Sequence, residues 1–194
     1  MKPIGPLMWE HRLIEKMVAL LAEELQRQRK GDLPNTALLF TGIDFFRMYV
    51  DRTHHGKEEE FLFHTLATKN LSEEHARILE RLLDDHEQAR QIVRDLDLAT
   101  KNYVNQDMTA VDEIQADLDI LTTLYPRHIA LEDKEFFFPC LAYLTATEQS
   151  KMMKEFRDFD CRMIHEKYEN TIETLEKNQA TNQTRQHAPL TRTV

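Results

Sequence analysis

His54-His55-Gly56-Lys57-Glu58-Glu59, followed by Phe61-Leu62-Phe63, decides the fold of this chain, because a second stretch says the same thing. His128-Ile129-Ala130-Leu131-Glu132-Asp133 is followed by Phe136-Phe137-Phe138-Pro139. Each stretch sets a carboxylate four residues after a histidine, with aromatic side chains just behind. Residues four apart share one face of an α-helix, so each stretch aims an imidazole and a carboxylate at a common point. The pair predicts a metal site rich in nitrogen and oxygen inside a helical bundle, with His11 and His86 as further donors.

The composition agrees with helices. Only 4 Gly and 6 Pro stand against 41% hydrophobic and 30% charged residues in 194, which suits a helical globular domain with its own core. A net charge of -9 argues against sequence-independent binding to nucleic acid, which needs a basic face, and against docking on an anionic membrane. Cys140 and Cys161 are too few for a disulfide framework and read as small apolar residues in reduced, buried surroundings. The N-terminus lacks the apolar core of a signal peptide, and no stretch approaches the ~20 apolar residues of a membrane span. The expectation is a soluble, cytoplasmic protein.

Helical periodicity runs almost end to end. The first helix is expected from about Pro6 to about Arg29, striped by Leu7, His11, Ile14, Val18, Leu21 and Leu25. The second runs from after Asn35 to about Thr68, with Leu39, Ile43, Phe46, Val50, His54, Glu58 and Phe61 on one face. Ser72, a good N-cap, opens the third, whose stripe includes Leu79, Leu82, His86 and Val93. The fourth starts near Asp107 to Thr109 and carries Ile114, Leu118, Leu121, Tyr125, His128, Glu132 and Phe136. Pro126 is expected to bend it. Thr145-Ala146-Thr147-Glu148 is a capping-box pattern for a fifth helix, about 145–177, and residues 178–194 read as a disordered tail. The fold class is therefore all-α: an antiparallel up-down-up-down four-helix bundle, core 1–140, with an extra C-terminal helix completing a domain over 1–177.

The stripes break at six places: His11, His54, Glu58, His86, His128 and Glu132. A neutral histidine in a core costs something and a buried carboxylate several kcal/mol unless it is compensated, so four histidines and two glutamates together call for a cation. Counted from the helix ends at ~1.5 Å per residue, His11, His54 and His86 fall at one level of the bundle. His54 and His55 both have a Glu four residues on. The stripe favours His54 with Glu58 and turns His55 with Glu59 to the neighbouring face, outside the inner set. Four imidazoles and two carboxylates exceed what one zinc takes and suit two first-row ions, iron ahead of manganese or zinc, bridged by the carboxylates. Open positions would take a bridging oxo or hydroxo group and a small molecule such as dioxygen, nitric oxide or peroxide. Phe46, Phe61 and Phe136 are expected to keep the site dry.

The order His, His-x-x-x-Glu, His, His-x-x-x-Glu on successive helices resembles the hemerythrin-like (HHE cation-binding) family. The local words LMWEHRLIE, HHGKEEEFLF, DDHEQAR and HIALEDKEFFFP resemble it too, covering about residues 1–140. The resemblance implies a non-haem di-iron centre ligated by His11, His54, Glu58, His86, His128 and Glu132. Two departures stand out. Oxygen-carrying hemerythrins have a His-x-x-x-His pair on the third helix and a His-x-x-x-x-Asp on the fourth. Here Leu82 precedes His86 by four and the acid after His128 is Glu132. A fifth histidine is missing from the expected set, which argues against simple reversible oxygen carriage. Tyr125 could fill the gap as a phenolate but reads better as a core residue.

The leading expectation is thus a di-iron protein binding a small ligand for sensing, scavenging or stress defence. Peroxidase or nitric-oxide-reducing chemistry at the metal is left open, as is a homodimer. Two alternatives compete. One is an iron storage or donor protein for metal-centre repair. The other is a metal-free phosphotransfer module using an exposed His55 beside Lys57.

Overall fold

The computed structural model describes residues 2–163 and Lys167, and every regular element among them is helical. The end of the fifth helix expected past residue 163, the tail expected from residue 178, and His165 and His187 lie outside the described residues. α1 spans Ile4–Arg29. α2 runs unbroken over residues 36–67, α3 spans Glu73–Val104, α4 covers residues 110–140 and α5 residues 146–163.

Polar residues open these helices as the sequence predicts. Asn35 Oδ1 accepts from the Leu38 amide at 3.2 Å, and Ser72 Oγ from the His75 amide at 3.2 Å. The capping box closes at α5: the Glu148 amide donates to Thr145 Oγ1 at 3.2 Å and the Thr145 amide to Glu148 Oε2 at 2.8 Å. These bonds satisfy amide donors that a first helical turn leaves without partners. Buried Glu24 ties α1 to the start of α2, accepting from the Asn35 amide at 2.8 Å. The α-helical part of α4 continues through Pro126 to Leu131 rather than stopping there.

The helices form a bundle in which α4 packs on α1 and α3, and α2 packs on the same two. Its interior holds two apolar clusters. One includes Ile14, Val50, Ala89 and Tyr125, the other Leu7, Leu62, Leu82 and Phe136. Each of the first four helices carries residues from the broken stripes between a member of one cluster and a member of the other. The order reverses from helix to helix: Leu7 before and Ile14 after His11, but Val50 before and Leu62 after His54. It reverses again on α3, with Leu82 before and Ala89 after His86, and on α4, with Tyr125 before and Phe136 after the His128–Glu132 pair. At roughly 1.5–3 kcal/mol for each large apolar side chain buried, the two clusters supply the stability that the polar level between them consumes.

Two helices depart from α geometry where the polar residues lie. α2 is π-helical over Phe46–His55 and again over Glu58–Phe63, and α4 over Glu132–Phe136. A π turn closes i→i+5 hydrogen bonds and takes in more residues than an α turn, so neighbouring side chains diverge less around the axis. The 3.6-residue stripe cannot register this.

α5 lies against α2. Met152, Phe156 and Phe159 are buried, and Phe61 meets Phe156 and Phe159 edge-on at 5.8 and 5.5 Å between ring centroids. Gly56 permits this approach, since a Cβ there would stand 2.7 Å from Phe159 Cζ. Cys140 is buried as expected, whereas Cys161, expected to be buried too, is exposed on α5. No helix among the described residues is long and apolar enough to cross a membrane.

Candidate metal centre

All six residues singled out from the broken stripes meet at one level of the bundle, none more than 2% exposed. His86 lies as far before Val104, where α3 ends, as His128 lies after Ala110, where α4 begins, so this last pair is level as well. His11 Nε2 stands 3.1 Å from His54 Nε2 and 3.1 Å from Glu132 Oε2. His86 Nε2 stands 3.3 Å from His128 Nε2, and His128 Nε2 is 3.4 Å from Glu132 Oε2. Glu58 spans the two halves, with Oε1 at 3.5 Å from His54 Nε2 and Oε2 at 3.4 Å from His86 Nε2.

His55 joins them, against expectation. It is 1% exposed, its ring stacks on His86 at 3.7 Å, and neither of its nitrogens has a hydrogen-bond partner. The π segment ending at His55 carries both neighbouring histidines inward, which an α-helix, turning about 100° per residue, would not do. The donor atoms fall into two groups, each within 4.8 Å: His11, His54, Glu58 and Glu132, and His55, Glu58, His86 and His128. Both oxygens of Glu58 and both of Glu132 also lack hydrogen bonds. Buried polar atoms without partners are costly, and seven side chains converging with their acceptor atoms inward suit cations placed among them. The residues present fit a metal.

Carboxylates behind the imidazoles fix which nitrogen faces in. His11 Nδ1 donates to Asp133 Oδ1 at 2.8 Å, His54 Nδ1 to Glu10 Oε2 at 2.9 Å and His86 Nδ1 to Glu59 Oε1 at 2.7 Å. His128 Nδ1 faces Asp85 Oδ2 at 3.5 Å, and His55 Nδ1 faces Asp51 Oδ1 at 3.7 Å. A proton held on Nδ1 leaves the Nε2 lone pair free for a cation. Four of these acids sit next in sequence to an inner donor and serve the following helix. Glu10 beside His11 reaches α2, Glu59 beside Glu58 reaches α3, Asp85 beside His86 reaches α4, and Asp133 beside Glu132 returns to α1. Cations back the acids in turn: Arg12 pairs with Asp133, Lys57 with Glu10, Arg127 with Asp85 at 2.7 Å, and Arg90 with Asp51 at 2.7 Å and Glu59 at 2.5 Å. Sequence reading missed Glu10, Asp51, Asp85 and Asp133, although Glu10, Asp85 and Asp133 each sit next to an inner residue, as does Glu59, which it placed just outside the inner set.

The protonation of the inner set follows from burial and neighbours. Burial, then the adjacent imidazoles, push His54 and His55 well below the ordinary histidine value, and burial also lowers His86. These rings are neutral, as metal ligands must be. For His11 burial opposes the proton, but Asp133 and Glu132 outweigh it and raise the ring to about 9. Burial and the Glu132 charge push Glu58 well above the usual carboxylate range. Glu132 goes the other way: burial is outweighed by His128 and His11, and its carboxyl is held down at about 2.

Aromatic rings close the centre, though not quite those expected. Phe137 stacks on His11 at 5.6 Å and Phe63 on His86 at 5.9 Å, while Phe61 turns away to α5 because the second π segment rotates it outward. Tyr125 is a core residue, its ring 4.8 Å from Phe46, and belongs to neither donor group.

Comparison with curated proteins and with solved structures finds no match. A family comparison does: residues 3–139 match the hemerythrin HHE cation binding domain. That span begins just before α1 and ends within the last turn of α4, so it takes in every inner donor and every acid behind them while leaving α5 outside. With more than half of its length matched, and with the histidines and glutamates of the match gathered at one buried level, the chain belongs to the hemerythrin HHE cation binding domain family.

Proposed function

We propose that this chain is a non-haem di-iron protein that binds a small ligand, dioxygen, nitric oxide or peroxide, for sensing, scavenging or stress defence. The observation that carries the reading is Glu58, buried, with one oxygen turned to each donor group and neither hydrogen-bonded. A carboxylate so placed suits two cations better than one. Imidazole mixed with carboxylate favours iron or manganese over all-oxygen calcium chemistry. Bound iron would supply redox change and an open position for the ligand. The chain's own residues supply neutral imidazoles aimed inward, carboxylates that hold them, and an apolar surround that excludes water. Each group offers four donors: two imidazoles and two carboxylates on the His11–His54 side, three imidazoles and one carboxylate on the other.

Two regularities support an up-down-up-down bundle. The order of the apolar clusters along the chain reverses at each successive helix. The acid serving the next helix precedes the inner donor on α1 and α3 (Glu10, Asp85) and follows it on α2 and α4 (Glu59, Asp133). Helices alternating in direction require both.

The phosphotransfer alternative loses its basis, because His55 and Lys57 are 1% and 0% exposed. Metal content and an ultraviolet-visible spectrum of protein expressed with iron test the di-iron reading. About two irons per chain, with bands that bleach under dithionite and return in air, are expected. A single tightly held zinc without iron would sink it, and one readily stripped iron would favour the donor protein.

Metal uptake should also move protons. In the metal-free protein His11 holds a proton up to about pH 9, above its ordinary value, so a cation must displace it below that pH. Affinity is therefore expected to rise with pH between about 7 and about 9, by about tenfold per unit for the His11 proton and more steeply where Glu58, also raised, must lose its own. Isothermal titration in buffers of different ionisation enthalpy measures the protons released. An affinity flat across this window would contradict the assignment of His11.

A further inference from the structure

We infer that α5, which lies outside the family match, is a working part of the metal centre: Asp160 on it positions His54 through Lys57 and Glu10, and so governs retention of one of the two ions. The inference rests on the dinuclear reading above.

The path is short and complete. His54 Nδ1 donates to Glu10 Oε2 at 2.9 Å, Lys57 Nζ pairs with Glu10 Oε1, and the same Nζ pairs with Asp160 Oδ1 at 2.7 Å. Of the four cations that back the carboxylates, Arg12 and Arg127 are half exposed and Arg90 a quarter exposed, whereas Lys57 is fully buried. A buried ammonium held by a single acid is expensive, and losing one partner of a buried pair leaves a charge uncompensated. Asp160 is the second acid, and it comes from α5. The neighbouring residue does the steric part: Phe159 lies on Gly56, between His55 and Lys57 in sequence, closer than any side chain at that position would permit. The segment of α2 that carries two inner histidines and Glu58 is thus clamped from outside by α5.

The ion-pair path reaches only one side, whereas Phe159 presses on the segment that carries donors of both groups. On the other side His86 is held through Glu59 by Arg90, which also pairs with Asp51. Asp160 therefore supports the His11–His54 side. Linkage makes the effect reciprocal: if docked α5 favours the ion, the ion favours docked α5 by the same factor.

The test uses the full chain loaded anaerobically with Fe(II) and chased with a chelator that colours on binding it. Asp160→Asn is expected to speed one release phase by about tenfold and leave the other unchanged, while Arg90→Gln speeds the other. Hydrogen exchange in residues 146–163 is expected to slow on metal loading of the unaltered chain. Equal acceleration of both phases, or none in folded Asp160→Asn protein, would overturn the inference and leave the dinuclear reading standing. So would exchange in α5 that is indifferent to metal. An unaltered chain that takes up no iron would overturn both.

Discussion

Replacing Glu58 with Gln is expected to abolish paired metal binding while leaving the metal-free fold as stable as before, or more so. The two halves of this expectation come from the same side chain. Glu58 and Glu132 are the only carboxylates in the two inner donor groups, and Glu58 belongs to both. An amide keeps the shape but removes the charge and one of two acceptor oxygens, so both donor groups would lose a carboxylate that they share, with Glu132 left as the remaining acid. Changes one layer further out in metal sites cost 10–100-fold in affinity, and loss of a shared ligand is expected to exceed about 100-fold. Without metal, however, the carboxyl is a liability. It is wholly buried, has no hydrogen bond, and is pushed upward in pKa by burial and by Glu132. Without metal the acid avoids the penalty on its ionised form only by holding a proton, and an uncharged amide of the same shape removes that penalty altogether. Equilibrium dialysis and thermal unfolding without metal read the two halves separately. Two ions retained at parental affinity would remove Glu58 from the centre.

The inner set was legible in the sequence wherever a helix keeps α geometry or the donor sits on the stripe. His11 and His86 interrupt otherwise apolar 3.6-residue rows on α1 and α3, and both are where those rows place them. Glu58 and Glu132 follow at four residues from a histidine and were found by that spacing. Helix starts at Ser72 and Thr145 were legible because a cap is local chemistry. What was hidden depends on neighbours or on a changed period. Glu10, Asp85 and Asp133 were given no role, because each reaches an adjacent helix, which a single helix cannot announce. Lys57 looked exposed because the residues that bury it, Asp160 above all, lie a hundred residues away on α5. Phe61 was placed on the wrong side for the reason that His55 was: both sit in π segments.

His55 separates the two readings most sharply. On the 3.6-residue stripe it belongs to the face beside the inner set, and changing it should leave both ions in place. In the structure it faces inward with both nitrogens free, stacked 3.7 Å from the ring of His86. His55→Leu preserves most of the volume and removes the donor, so the fold is expected to survive. The chain should then hold one ion, or release the second about 100-fold more readily. His55→Ala provides the decisive complement, because it opens a ring-sized space beside His86. Added imidazole is expected to enter that space and restore the second ion and its absorption, which a role in packing alone cannot explain. His64→Ala, at an exposed position on the same helix, serves as the unaffected comparison. Two ions bound normally by His55→Leu would return His55 to the outer layer and leave the His86–His128 side one donor short. Rescue by imidazole would instead show that this chain takes from α2 the fifth histidine that oxygen-carrying hemerythrins draw from the third helix. The argument against oxygen binding drawn from Leu82 would then fall, since the donor count would be met from a different element.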